Sequence, residues 1–119
     1  MNIIIIEDET RAANRIKRIL NEIDPTITVV ETIESIVLAI AYLEQNQPDL
    51  IISDIQLADG LSFDIYKKVT PTCPIIFTTA YDQYAIQAFE TNGIDYLLKP
   101  IEADRLAKAL DKVQNLKPQ

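Results

Sequence analysis

The chain contains no histidine. That absence removes Ser-His-Asp nucleophilic catalysis, histidine-liganded zinc and any phosphohistidine relay carried by the chain itself. Cysteine is almost missing too. Cys73 stands alone, so no intramolecular disulfide can form, and the cytoplasm is the expected compartment. The two glycines, Gly60 and Gly93, are too few for a glycine-rich loop that cradles phosphate. No apolar run approaches the ~20 residues of a membrane span. The opening MNIIIIED has no basic leader and turns acidic after four isoleucines, unlike a signal peptide. Basic charge is in deficit: 11 Lys and Arg face 18 Asp and Glu, for a formal net charge of −7. With no basic cluster, direct nucleic-acid binding through phosphate contacts is not expected, and neither is a membrane partner.

What remains is apolar and regularly spaced. The chain has 119 residues, 48% of them hydrophobic, which suits one domain with one good core. Ile3 to Ile6 is a β-branched run and reads as a strand buried on both faces. Thr10 to Glu22 has helical spacing and stops at Asp24-Pro25. Ile27 to Ile33 reads as a strand. A second helix opens at Glu34 or Ser35, with Ile36, Val37, Ile40, Ala41 and Leu43 as its expected apolar side. Leu50 to Ser53 is another buried run ending at Asp54, followed by a loop with Asp59-Gly60. Further elements are expected at Phe63–Val69 (helix), Pro74–Thr78 (strand), Asp82–Glu90 (helix, stopped by Asn92-Gly93), Ile94–Leu98 (strand) and Glu102–Leu116 (helix, with Leu106, Leu110 and Val113 as its apolar stripe). Lys117-Pro118-Gln119 reads as a natural end or the start of a linker. Five βα units imply a parallel sheet covered on both faces, with right-handed crossovers.

In such a doubly wound α/β sheet, ligands bind at the carboxyl ends of the strands. Those ends carry Glu7 and Asp8, then Asp54, Thr79 and Lys99. Three carboxylates gathered at one edge repel one another and raise each other's pKa unless a cation intervenes. A hard, oxygen-seeking cation such as Mg²⁺ would relieve that repulsion. A lysine and a hydroxyl opposite the metal suit a transferring phosphoryl group, which needs positioning and charge neutralisation. Each residue alone has a plainer reading. Glu7-Asp8-Glu9 could be helix N-terminal acids, Asp54 a loop aspartate, Thr79 a strand-end hydroxyl, Lys99 a solvated charge and Tyr96 a core residue. The joint order at four strand ends is what points to chemistry.

The stretches IIIIEDE, DLIISDIQLADG, PIIFTTAYD and GIDYLLKP resemble response-regulator receiver domains of two-component systems. The longer pattern TAYDQYAIQAFE followed by GIDYLLKPI is similar to the receivers that precede LytTR-type DNA-binding domains. The resemblance implies one receiver domain over residues 1–119. Its fold would be a flavodoxin-like (βα)5 sheet of five parallel strands in the order 2-1-3-4-5. It implies Asp54 as phosphoacceptor, with Mg²⁺ held by Glu7, Asp8, Asp54 and the backbone carbonyl of Gln56. Asp8 would be the direct ligand and Glu7 would act mainly through water. Thr79 and Lys99 would assist the transfer, and Thr79 and Tyr96 would form the switch. A cis peptide is implied at Lys99-Pro100, with Gln56 and Tyr81 flanking the water path. The implied partners are a sensor histidine kinase and, after phosphorylation, a second copy. That copy would dock through the fourth helix, fifth strand and fifth helix, on a face carrying Tyr84, Phe89, Tyr96 and Leu106. Such a domain is a signalling switch rather than an enzyme, and its DNA-binding output would lie outside these residues. The chain departs from the family in having Ala58 where proline is common, and Glu7 where the acidic pair is often Asp-Asp.

Three other classes fit less well. A haloacid-dehalogenase-like phosphatase needs a second aspartate two residues after the first, where this chain has Thr10 after Asp8. A flavodoxin-like cofactor binder needs a Gly/Ser/Thr-rich loop after the first strand, and Glu7-Asp8-Glu9 would repel phosphate there. A degenerate, unphosphorylated receiver would not need the full set Asp8, Asp54, Thr79 and Lys99.

Overall fold

The computed structural model of the chain describes residues 1–91 and 93–116. Asn92 of the expected helix stop and the tail Lys117-Pro118-Gln119 lie outside the described residues. The strands are β1 (Asn2–Ile6), β2 (Thr28–Ile33), β3 (Leu50–Asp54), β4 (Ile75–Thr79) and β5 (Gly93–Leu98). The helices are α1 (Thr10–Ile23), α2 (Ile36–Gln45), α3 (Phe63–Lys68), α4 (Ala85–Glu90) and α5 (Ala103–Leu116). The sheet order is β2-β1-β3-β4-β5, parallel throughout.

Ile3 to Ile6 are all 0% exposed, as a run of stiff β-branched side chains in a central strand should be. Because side chains alternate along a strand, Ile3 and Ile5 face α1 and α5, while Ile4 and Ile6 face α2, α3 and α4. The sheet therefore divides the interior into two cores. Cys73 lies in the second core, and burial pushes its thiol up to about 11, which disfavours the reactive thiolate.

Between β3 and α3, Gln56–Leu57 pairs antiparallel with Gly60–Leu61 in a small hairpin. Gly60 takes φ 138°, which a side chain would resist, so the turn reading of Asp59-Gly60 holds. Asp59 also does something its sequence neighbours do not suggest. Its carboxylate accepts from the backbone N–H of Ile36 at 3.1 Å and of Val37 at 3.4 Å. The Ser35 hydroxyl accepts from Leu38 N–H at 3.1 Å, and the Ser35 carbonyl from Ala39 N–H. Three otherwise orphaned donors of the α2 N-terminus, those of Ile36, Val37 and Leu38, are thus satisfied by side chains, and the Ser35 carbonyl accepts the first regular helical bond. Asp59→Ala should cost ~1 kcal/mol, the usual worth of such a cap. Urea melts would check the cost, and faster amide exchange at Ile36 and Val37 would locate it.

Several expectations need correction. The buried side of α2 is formed by Ile36 and Ala39, with Ile40 and Leu43 packed behind them. Val37 and Ala41 face solvent instead. α2 is apolar nearly all round, so periodicity could not single out its inner side. β2 is an edge strand with exposed side chains, and its register against β1 shifts so that Val30 bulges out. The fourth helix begins as a single 3₁₀ turn, Asp82–Tyr84, before α4. Gly93 is not a left-handed helix stop. It begins β5, where an added Cβ would lie 2.5 Å from the Ala88 carbonyl oxygen and 2.8 Å from the Phe77 ring. Leu106, expected on a docking face, is 0% exposed and belongs to the core under α5. Tyr84 is half-buried against Phe63, their rings 6.1 Å apart. The exposed apolar side chains of that region are Ile86, Phe89 and Leu98.

Candidate functional site

The carboxyl ends of four parallel strands meet at one edge of the sheet. Glu7 and Asp8 follow β1, Asp54 ends β3, Thr79 ends β4 and Lys99 follows β5. Parallel pairing brings these ends level, with one register shift between Ile75 and Ile76 where β4 meets β5. A cleft of ≈ 300 Å³ opens there, and Asp8, Asp54, Gln56, Thr79, Tyr81 and Lys99 are among its lining residues.

Lys99 organises the cleft. Its Nζ donates to Glu7 Oε1 at 2.7 Å and to Asp54 Oδ2 at 3.1 Å. Its backbone N–H donates to the Thr79 carbonyl at 2.8 Å. The Lys99-Pro100 peptide is cis, as the resemblance implied. Arg15 on α1 donates from Nε to the Ile101 carbonyl at 2.9 Å and ties down the segment after the proline. Glu7 is 2% exposed and Asp54 6%, so both carboxylates sit in a low-dielectric setting.

Burial raises the Glu7 carboxyl to about 7, aided by the Asp54 charge and opposed by the Lys99 hydrogen bond. Burial alone would lower the Lys99 ammonium, but its hydrogen bonds to Glu7 and Asp54 and their charges hold it above its ordinary value. Glu7, Asp8 and Asp54 each offer a carboxylate oxygen, and these atoms all lie within 4.8 Å of one another. With all three ionised and Lys99 charged, the cluster keeps a formal charge of −2. An all-oxygen donor set with that residual charge fits a hard divalent cation such as Mg²⁺.

Two further residues of the implied set, Thr79 and Tyr96, are joined through one neighbour. Thr79, 1% exposed, accepts at its hydroxyl from Tyr81 N–H at 3.2 Å. The Tyr96 hydroxyl donates to the Tyr81 carbonyl. Tyr96 lies in β5 outside the cleft, and its ring packs on the second core. Gln56 is exposed on the hairpin, and its side-chain amide donates to the Tyr84 hydroxyl at 3.1 Å.

The structure thus brings Glu7, Asp8, Asp54, Thr79 and Lys99 together, with Gln56 at the rim and Tyr96 one residue removed. The close Lys99–Glu7 contact was not legible in sequence, nor was the Arg15 tie. The buried Asp95, which pairs with Lys112 at 3.1 Å, was missed as well. Its signal is present, since an acid inside an apolar strand run needs a partner.

Comparison with known proteins gives consistent results. Residues 3–111 match the family described as Response regulator receiver domain. The sensory transduction protein LytT of Bacillus anthracis is 35% identical over 120 residues, covering 98% of this chain and 48% of the relative. The sensory transduction protein LytR of Staphylococcus haemolyticus is 37% identical over 118 residues, covering 97% and 46%. The chain therefore spans about half the length of these curated relatives. The crystal structure of the response regulatory domain of protein mrkE from Klebsiella pneumoniae superposes with a TM-score of 0.86 at 26% identity, covering 97% of this chain and 96% of that one.

Proposed function

Since this chain belongs to the response regulator receiver domains, we propose that it is the phosphoacceptor switch of a two-component system, modified at Asp54 by a partner histidine kinase. On this reading residues 1–119 form one receiver domain, act in the cytoplasm and control a DNA-binding output carried elsewhere. The observation that carries the proposal is the placement of Asp54 Oδ2 3.1 Å from Lys99 Nζ at an edge shared with Glu7 and Asp8.

Asp54 attacks phosphorus as the P–N bond of a phosphohistidine breaks, and the imidazole departs. Lys99 neutralises charge on the non-bridging oxygens, which is most of what such a transfer asks of a protein. Glu7, Asp8, Asp54 and the Gln56 carbonyl would hold Mg²⁺, which when bound supplies further positive charge for the phosphoryl oxygens. The acyl phosphate adds about −2 of charge and new acceptor oxygens. The Thr79 hydroxyl then leaves Tyr81 N–H to donate to one of them. Tyr96, bonded to the same Tyr81, moves with it. This is a two-state element biased by a local charge. The face it re-sets, α4–β5–α5, exposes Ile86, Phe89 and Leu98, and would join two phosphorylated copies. Gln56 and Tyr81 flank the path of the hydrolytic water.

The test is to incubate the chain with a small-molecule phosphodonor in Mg²⁺ and map the product by mass spectrometry. One hydroxylamine-labile phosphoryl group on Asp54, absent from Asp54→Ala, is expected. No labelling, or equal labelling of the variant, would overturn the proposal.

A further inference from the structure

The edge of the sheet opposite β5, at β2, carries a second feature. α2 runs IVLAIAYL from Ile36 to Leu43, with no charge before Glu44. A helix apolar on every side belongs in an interior or beneath a partner. Only one side of α2 is used by the core. Val37 is 69% exposed and Leu38 52%. Next to them a groove of ≈ 360 Å³ runs between α1, the edge strand β2 and α2. Its apolar lining comes from Ala13, Ile33, Leu38 and the Tyr42 ring, while Glu31 and Glu34 stand along it. Lys17 is the one cation among its described lining residues, and Asp8 closes the end nearest the cleft.

We propose that this groove and the exposed side of α2 bind a basic, amphipathic helical segment of a partner protein. Its apolar stripe would lie on Leu38 and Tyr42, and its Lys or Arg residues would face Glu31 and Glu34. Charge complementarity selects the occupant: the groove is acidic, on a chain whose net charge is −7. A second copy of this chain is a poor occupant. Its most basic helix, α1, has already committed Ala13, Ile16, Ile19 and Leu20 to its own core. An extended peptide adding a strand at β2 is disfavoured, because the Val30 bulge interrupts the regular strand geometry there. A helix laid in an apolar groove needs no such ladder.

The experiment needs no phosphorylation and stands apart from the reading of Asp54. The full chain, isotope-labelled, is titrated with a synthetic Leu/Lys peptide of helical amphipathic spacing. Two controls have the same length: a scrambled Leu/Lys peptide and an amphipathic Leu/Glu peptide. The amphipathic Leu/Lys peptide should bind most tightly, with amide shifts centred on Ala13, Ile33 and Leu38. Leu38→Glu should weaken it by at least about tenfold, as loss of an interface anchor does. Glu31→Lys combined with Glu34→Lys should do the same by a route that leaves α2 intact. Leu38 is exposed, so its thermal melt should be unchanged. Four results would overturn the proposal: equal binding of the scrambled or the Leu/Glu peptide, shifts centred on Ile86 and Phe89, affinity unaltered in both variants, or sedimentation showing that the wild type self-associates and Leu38→Glu does not.

Discussion

Lys99→Ala is expected to slow phosphoryl uptake at Asp54 about a hundredfold and to lower the stability of the metal-free chain by about 3 kcal/mol near pH 8. The first effect follows from charge. The ammonium 3.1 Å from Asp54 Oδ2 is a cation the chain itself aims at the proposed acceptor. Losing one such preorganised group in an acyl- or phosphoryl-transfer site typically costs two to three orders of magnitude. The second effect follows from burial. Glu7, 2% exposed, and Asp54, 6% exposed, would be left facing each other with no counter-charge. Removing one member of a buried ion pair costs ~3–5 kcal/mol, because the remaining charge is stranded. The lower end applies here, since the lysine side chain is 21% exposed and Glu7 can take up a proton instead. Near pH 5 that proton is present, so the deficit should shrink to less than half. Urea melts in EDTA at both pH values measure the second effect, and labelling time courses measure the first. Adding Glu7→Gln to Lys99→Ala should restore stability and leave the labelling defect in place. Coincident melts of wild type and Lys99→Ala near pH 8 would contradict the assignment of Lys99 as the organising charge.

The wild-type chain in EDTA should be more stable near pH 5 than near pH 8, by ~2 kcal/mol. Burial, then the Asp54 charge, raises the folded-state Glu7 carboxyl to about 7, against the pull of Lys99. In the unfolded chain that carboxyl titrates in the ordinary glutamate range. The folded state therefore keeps the Glu7 proton over a window in which the unfolded state has lost it. The contribution is complete below the unfolded value and is lost as pH rises through about 7. Metal binding has the opposite pH dependence, because the ligand carboxylates must be ionised. Saturating Mg²⁺ should accordingly stabilise the chain more near pH 8 than near pH 5, by mass action on the folded state. Urea midpoints across this range, with and without Mg²⁺, check both statements. Glu7→Gln should flatten the EDTA curve, which isolates this carboxyl from the others. A wild-type curve already flat in EDTA would show that Glu7 does not hold its proton.

The sequence by itself determined the strands, their polar ends and the family. Four β-branched residues at Ile3–Ile6 can be buried only in a central strand, and Glu7, Asp54, Thr79 and Lys99 stand where parallel strands stop. These are local facts, set by side-chain shape and by where an apolar run gives way to a polar residue. Tertiary structure alone decided which of those groups touch. Glu7 and Lys99 are 92 residues apart and meet because β1 and β5 both end at the same edge. Asp59 reads as a turn residue, yet it caps a helix that begins 23 residues earlier, because the hairpin folds back over α2. Nor could sequence say which side of α2 is inside, since a helix apolar all round carries no phase and only the sheet beneath it chooses one. Leu106 stood both on the expected apolar stripe of the last helix and on the expected docking face, and only the first holds: α5 turns that residue, with Leu110 and Val113, onto the sheet, where burying it removes apolar surface from water.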